Sequence, residues 1–363
     1  MVRTKFHLKD FPDNRIRIKF KDNIQFINQN IQFFGSLKTF ANFLGISSQM
    51  VLQWKKHNLF IPLTHIKKIV DRRNISWIKL EKCVVAYKNP NSGLIVHKPR
   101  LPIEECPEIF SIISHLIADG SVNRNGIPIY TNKSLELIKE FDRLVKKVFG
   151  KIQNSIYKTK SGAYQIRTSR VIVDLLCKFY DVNFNSLQAR IPSRLFELPS
   201  DYICAFLRAY ADDEGAVDLN HRITIYSNNV HILEGIKDLL WNHLGLSHTT
   251  GVLVKNRKNY YLTIKPKNLM RYQQLIDFKH PLKKQRLAQI LRMRKRKRNS
   301  TSKTSHQIRK LLKRKDRTSP ELALKLGICL SNVHLPLKNL EKKGIIRKAN
   351  KHDKSPNRTV WRY

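Results

Sequence analysis

Residues 107–120 read PEIFSIISHLIADG, and residues 201–215 read DYICAFLRAYADDEG. Both stretches have helical period, and both end on an acid followed by glycine. In the first, Ser111, Ser114 and Ala118 recur at i, i+3 and i+7 and line one narrow stripe. In the second, Ala205 and Ala209 stand four apart, with Asp213 next on the same line. Stripes of small residues let two helix backbones approach closely, so Ser114, Ala118, Ala205 and Ala209 are the expected interface positions. Helices packed along them bring Asp119 and Glu214 together at their C-terminal ends. Two carboxylates forced together repel unless a divalent cation sits between them. Hard oxygen ligands with solvent-accessible positions suit magnesium.

These stretches open an internal repeat. Asp119-Gly120-Ser121-Val122 returns as Glu214-Gly215-Ala216-Val217, 95 residues later, and Phe149-Gly150 returns as Leu244-Gly245 at the same offset. Thr131-Asn132 returns as Ser227-Asn228, one residue out of step. Each copy runs helix, short hairpin, amphipathic helix, more β-type residues and a last helix. VNRNGIPIYTN (122–132) carries a tight turn at Asn125-Gly126. RITIYSN (222–228) alternates Ile223 and Ile225 against Arg222, Thr224 and Tyr226. AYQIRTS and YYLTIKP alternate likewise. One face packs on helices, and the other is polar and basic, suited to lying along a DNA groove. The expected DNA-facing set is Arg124, Asn125, Tyr130, Gln165, Arg167, Arg222, Thr224, Tyr226, Tyr261, Thr263 and Lys265. Any half-exposed sheet alternates in this way; the repeat and the charge together favour nucleic acid.

That charge is extreme. Lys plus Arg number 69 against 27 acids in 363 residues, a formal net charge of +42. Such an excess calls for a polyanionic partner, and nucleic acid is the first candidate. An anionic membrane surface is the second, but no apolar run reaches the ~18 residues that a spanning helix needs. MVRTKFHLKDF is polar from its start, with no secretory pattern, and a cytoplasmic, nucleoid-associated protein is expected. The five cysteines include no C-x-x-C pair, which disfavours a zinc finger or ribbon.

The flanks read as helix pairs. In LKTFANFLGISSQMVLQWKK, Leu37, Phe40, Ala41 and Leu44 share a face, Gly45 breaks the helix, and Ser47 or Ser48 caps the next. That outlines a helix-turn-helix, although an anonymous three-helix bundle shows the same pattern. SPELALKLG has Ser319 as the expected N-cap and Pro320 at the first helical position. A second helix follows Gly327, with Pro336 inside it, and RTVWRY closes as a strand. The basic run Arg292–Arg298 suits phosphate contact and a flexible tether equally.

With both motifs in view, the chain resembles the LAGLIDADG family of homing endonucleases over about residues 105–290. The nine-residue motif falls on Ile112–Gly120 and Leu207–Gly215, and FKHPLKKQRL near the end of the second copy also resembles the family. The flanks are similar to those of archaeal-type standalone members with helix-turn-helix arms. The resemblance implies an α+β fold: a duplicated αββαββα core with pseudo-two-fold symmetry, monomeric through the duplication. The implied domains are a helix-turn-helix over 1–90, a linker over 91–106, repeats over 107–198 and 199–292, a basic linker over 293–302, and a winged helix-turn-helix over 303–363. It further implies double-strand cleavage of duplex DNA, with Mg2+ or Mn2+ bound by Asp119 and Glu214. A basic residue near the end of each repeat is implied too. Lys283 or Lys284 serves in the second copy. In the first, VNFNSLQARIP has Asn185 near that place with Arg190 as a substitute, so one strand is expected to be cut more slowly. Ser114 and Ala209 stand where the family packs glycine, and Asp213 adds a third acid where a small residue is usual. Two rival functions share the same surface: a non-catalytic DNA-binding regulator, and a maturase-like splicing cofactor with intron RNA as its partner.

The charge generates the first prediction. Log affinity for duplex DNA against log salt concentration should fall with a slope of about −0.9 per phosphate contacted. Fluorescence anisotropy across a salt series checks it, and a flat response removes nucleic acid as the partner.

Overall fold

The computed structural model describes residues 4–90, 93–123, 126–254, 258–294, 301–349 and 359–363. After β1 (Lys5–Phe6) and β2 (Arg17–Phe20), three helices each begin where a side-chain oxygen accepts a backbone N–H of the first turn. Asp22 caps α1 (Asn23–Phe33), Ser36 caps α2 (Leu37–Leu44), and Ser47 caps α3 (Ser48–Lys56). Gly45 ends α2 at φ +74°, a conformation open to a residue without Cβ. Next come β3 (Ile61–Pro62), α4 (Leu63–Arg73), α5 (Trp77–Glu81), β4 (Val84–Lys88), β5 (Val96–His97) and β6 (Ile103–Glu104). The stretch read as a linker over 91–106 therefore carries two strands. β5 pairs with β4, and β6 pairs with β1. Strands of two residues are too short to show a period among prolines and glycines.

The first repeat comprises α6 (Pro107–Ala118), β7 (Gly120–Val122), β8 (Pro128–Asn132), α7 (Leu135–Phe149), β9 (Lys151–Ile152), β10 (Ile156–Lys158), β11 (Tyr164–Arg167) and α8 (Arg170–Tyr180). β9 joins the sheet of the preceding segment, in the order β3-β2-β4-β5-β9. The second repeat comprises α9 (Ser200–Glu214), β12 (Gly215–Asp218), β13 (Arg222–Ser227), α10 (Val230–Asp238), β14 (His248–Val254), β15 (Lys258–Ile264), α11 (Leu269–Leu275) and α12 (Pro281–Arg294). The fold is α+β, helices with small antiparallel sheets.

The ladders of the two copies agree position by position. Their orders are β7-β8-β11-β10 and β12-β13-β15-β14. Gly120 faces Tyr130, which faces Ile166; Gly215 faces Ile225, which faces Leu262. Register makes Asn132 the counterpart of Ser227, and Thr131 that of Tyr226. The Thr131-Asn132 match to Ser227-Asn228 read from the sequence is thus one residue off, because the hairpin keeps the 95-residue offset.

By contacts the chain divides into two units, residues 1–214 with 228–239, and residues 215–227 with 240–363. Both motif helices belong to the first. α6 and α9 pack on one another, with Ser114 and Ala209 buried between elements. The serines of the stripe do more than leave room. Ser111 Oγ donates to the Ala205 carbonyl at 3.2 Å, and Ser114 Oγ to the Phe206 carbonyl at 2.8 Å. In the second unit α13 (Thr301–Leu312), β16 (Arg317–Thr318), α14 (Ser319–Leu326), α15 (Ser331–Lys342), β17 (Arg347–Lys348) and β18 (Val360–Arg362) complete the chain. The N-cap of α14 is Thr318, not Ser319. Glu321 completes a capping box with Thr318, while the Ser319 hydroxyl is buried and accepts from Trp361 Nε1 at 3.0 Å. α15 runs through Pro336, and Ser331 N at its start donates to Asn220 Oδ1 in the β12–β13 turn at 3.0 Å. Of the basic run, residues 295–298 lie outside those described.

Gly120 is required by sterics. A Cβ there would stand 2.3 Å from the Leu116 carbonyl oxygen and 2.5 Å from its Cα, both backbone atoms that cannot swing aside. Gly120→Ala should lower stability by about 1–3 kcal/mol or more, the cost of overpacking, read from the urea midpoint. An unchanged midpoint would contradict the close approach.

Candidate functional site

Asp119 is the C-cap of α6, and Asp212, Asp213 and Glu214 form the last turn of α9, which holds no basic residue. Acids at the negative end of a helix oppose its dipole, at about 0.3–1 kcal/mol each. Helix stability gives no reason to place them there. Asn132, at the end of β8, ties the two ends together. Its Nδ2 donates to Asp119 Oδ2 at 2.7 Å and to Asp213 Oδ1 at 3.1 Å. The two carboxylates are thereby held around one amide, and Glu214 is the next residue after Asp213. Asp119 and Glu214 are both half-buried.

Asp213 has a buried side chain and a full set of donors. Tyr130 Oη donates to Oδ1 at 2.7 Å, and His115 Nδ1 lies 2.8 Å from Oδ2. Burial pulls the His115 pKa down, but the charge and hydrogen bond of Asp213, with Asp212 and Asp119 beyond, outweigh it and hold the imidazole above its usual value. Burial and the same acids push the Tyr130 phenol well above its ordinary range, so it stays a donor. His115 and Tyr130 are packed with Phe141, ring centroids 6.1 and 4.7 Å away. Asp213 is therefore the anchor of a buried polar network rather than a free ligand.

The Tyr130 network corrects one sequence reading. Expected along a DNA groove, Tyr130 is 0% exposed. Register places it opposite Ile166 on the closed face. Its neighbours Ile129 and Thr131 take the open face instead, with Gln165 and Arg167 across the ladder and Tyr157 on β10. Gln165 Nε2 donates to Thr131 Oγ1 at 2.9 Å, and the Arg167 guanidinium lies 5.5 Å from the Tyr157 ring centre. Arg124 and Asn125 lie outside the described residues.

The open face of the other sheet carries Arg222, Thr224, Tyr226, Tyr261, Thr263 and Lys265, as the alternation indicates. Thr224 and Thr263 are only 8% and 9% exposed and pair side by side, whereas Tyr226, Arg222 and Lys265 reach solvent. Arg222 is ion-paired with Asp218 at 3.0 Å. The Tyr261 ring folds over Gly251, where a Cβ would lie 2.5 Å from its hydroxyl. Lys283 and Lys284 stand at the start of α12, Lys284 paired with Asp277 at 3.2 Å. Asn185 Oδ1 accepts from Leu187 N in a turn (3.1 Å), and Arg190 is exposed. Of the interface positions, Ser114, Ala205 and Ala209 are buried and Ala118 half-buried. Asn132, Thr131, Tyr157 and the His115–Tyr130 support were not singled out from sequence. Of these, Thr131 and Asn132 leave a trace there, in the imperfect Thr-Asn repeat.

No family model matches the chain. Among curated proteins it is similar to the DNA polymerase of Thermococcus litoralis, 26% identical over 253 residues, which are 64% of this chain and 14% of that protein. It is similar to a probable translation initiation factor of Thermococcus kodakarensis, 26% identical over 201 residues, 52% of this chain and 17% of that one. It is also similar to the glutamine–fructose-6-phosphate aminotransferase of Methanocaldococcus jannaschii, 28% identical over 133 residues, 36% and 11% of the two chains. The chain thus spans under a fifth of these relatives. Among solved structures it is similar to I-DmoI in complex with DNA and Mn, with TM-score 0.36 and 19% identity, covering 47% of this chain and 96% of that one. Full-length DUF199/WhiA from Thermatoga maritima gives TM-score 0.36 and 12% identity over 65% and 91% of the two chains. No helix among the described residues is long and apolar enough to cross a membrane.

Tyr130→Phe keeps the ring and removes one donor from a buried carboxylate, which should cost about 1.5–3 kcal/mol in urea unfolding. A loss under about 0.5 kcal/mol would mean that the network is not formed in solution.

Proposed function

We propose that the chain is a site-specific DNA endonuclease of the LAGLIDADG type, making double-strand breaks with Mg2+ or Mn2+. The observation that carries this reading is the Asn132 bridge. It gathers acids at the ends of two helices that occupy equivalent places in an internal repeat. Helix dipole and mutual repulsion both oppose that gathering, and a cation relieves both.

The donor set fits such a cation. Among the described residues no group of three or more His, Cys, Asp or Glu is arranged to hold a metal alone. Magnesium takes one or two carboxylates and fills its remaining positions with water and substrate phosphate. Asp119 and Glu214 would be those carboxylates. The bound ion would supply a water of lowered pKa and neutralise charge on the leaving oxygen. The chain's own part is positional. Asn132 orients the Asp119 carboxyl, Asp213 holds the two helix ends in register, and Lys283 or Lys284 stands for the basic residue of the second copy. Each open sheet face offers polar and basic side chains to a duplex, Gln165 and Arg167 on one and Arg222, Tyr226, Tyr261 and Lys265 on the other. The helical segments 1–90 and 303–363 serve as DNA-binding arms, and the duplication makes the protein a monomer.

The curated relatives support this from another side. A DNA polymerase, an initiation factor and an aminotransferase share no activity, yet each matches over a small fraction of its length. Matches to small parts of such different proteins are what a mobile element's endonuclease would leave if inserted in each. One observation favours a second reading, a non-catalytic DNA-binding regulator. Asp119 already has a donor in Asn132, which suffices for a structural role.

Asp119→Asn and Glu214→Gln decide between the two. Each should abolish double-strand cleavage of the intron-less host allele in Mg2+, while binding is kept or strengthened, since an uncompensated acid repels phosphate. Cleavage by the double variant at the wild-type rate would put the regulator reading ahead.

A further inference from the structure

A cleft of about 610 Å³ opens where the end of α7 meets the β5–β9 pair, lined by Lys98, Arg100, Arg143, Lys146, Lys147 and Lys151. Three of the six have an ordinary explanation. Arg143, Lys146 and Lys147 sit near the C-terminus of α7, where cations suit the dipole, and they pair with Glu140, Asp142 and Glu108. The other three come from outside the helix. Lys98, Arg100 and Lys151 are exposed, and among the described residues none forms an ion pair. Three like charges gathered without a counter-charge repel one another, so a bound anion would stabilise the arrangement.

The backbone beneath them is built. Gly150 has φ +122°, and a Cβ on it would stand 2.9 Å from the His97 and Lys98 carbonyl oxygens and from Pro99 Cα. Arg100 N donates to the Phe149 carbonyl at 3.3 Å, and Lys98 N to that of Val85 at 2.8 Å. Lys98 itself is held at φ +46°, a conformation uncommon for a residue with a side chain. His97 and Lys151 are ladder partners, which sets the two charged segments side by side. A second cavity of about 550 Å³ shares Lys98 and adds Lys19 and His97, so the basic lining continues past the first.

The cleft is separate from the open sheet face. α7 packs on the closed side of the first repeat's sheet, with Phe141 against Tyr130. A duplex along the open face lies on the opposite side of that sheet. We propose that this cleft binds the sugar-phosphate backbone of duplex DNA outside the segment held by the open faces. It recognises phosphate charge without reading bases, because the lining offers ammonium and guanidinium donors to anionic oxygen. The proposal rests on the DNA-binding reading above, but not on cleavage.

The test is a triple variant of the full chain, Lys98→Gln, Arg100→Gln and Lys151→Gln. A control carries Lys178→Gln, Lys237→Gln and Lys267→Gln, the same charge change at exposed positions outside the arms and the open sheet faces. Binding to a 60-base-pair duplex and to an RNA hairpin of equal charge is read by anisotropy across a salt series, with thermal unfolding to confirm the fold. The cleft variant should show a salt slope on DNA shallower by roughly 2–3 and at least about tenfold weaker binding in low salt. The control should stay within about threefold of wild type. Equal losses in the two variants, or a loss confined to RNA, would overturn the cleft. A wild type that binds no duplex would instead sink the DNA-binding reading itself, and the proposal with it.

Discussion

Everything proposed for this protein depends on the close approach of α6 and α9, which ends with acids at the negative poles of both helices. The approach is possible because the facing residues are small, and it is fastened because two of them are serines whose hydroxyls reach the neighbouring helix's carbonyls. Gly120 turns the chain out of α6 against Leu116 with no room for a side chain. The polar network around Asp213 then holds the ends in place. Such a network is stabilising only when every member is satisfied, and here Tyr130, His115 and Asn132 supply the donors.

The division of labour among the acids follows. Asp213 is enclosed and consumed by structure. Asp119 and Glu214 stay half-buried, at places related by the repeat. Acids at the C-terminal ends of both helices oppose the helix dipoles, so helix stability does not account for them. The duplicated frame keeps its register while its open faces have diverged. Thr131, Gln165 and Arg167 in one copy stand where Tyr226, Tyr261 and Thr263 stand in the other.

Much of this was legible in the chain because the repeat preserves spacing through the motif helix and its hairpin. Alternation puts Arg222, Thr224 and Tyr226 on one face of β13 and Ile223 and Ile225 on the other, as the register has them. It failed for Tyr130, since Pro128-Ile129-Tyr130-Thr131 shows no clean alternation and the partner that buries the hydroxyl is Asp213, far along the chain. Ser319 and Thr318 are adjacent capping candidates. The choice fell to Thr318 because Glu321 stands at the right spacing and Trp361 claims Ser319. Asn132 was invisible as a bridge because its two acceptors come from different helices.

If Asp119 and Glu214 jointly locate a divalent cation, iron-directed hydroxyl-radical scission of the protein will report its place. Fe2+ with ascorbate and peroxide, in place of Mg2+, cuts backbone near the bound ion. Breaks should cluster near residues 119 and 214, be suppressed by excess Mg2+ and be absent from the Asp119→Asn, Glu214→Gln double variant. Breaks elsewhere, or a pattern unchanged in that variant, would contradict it.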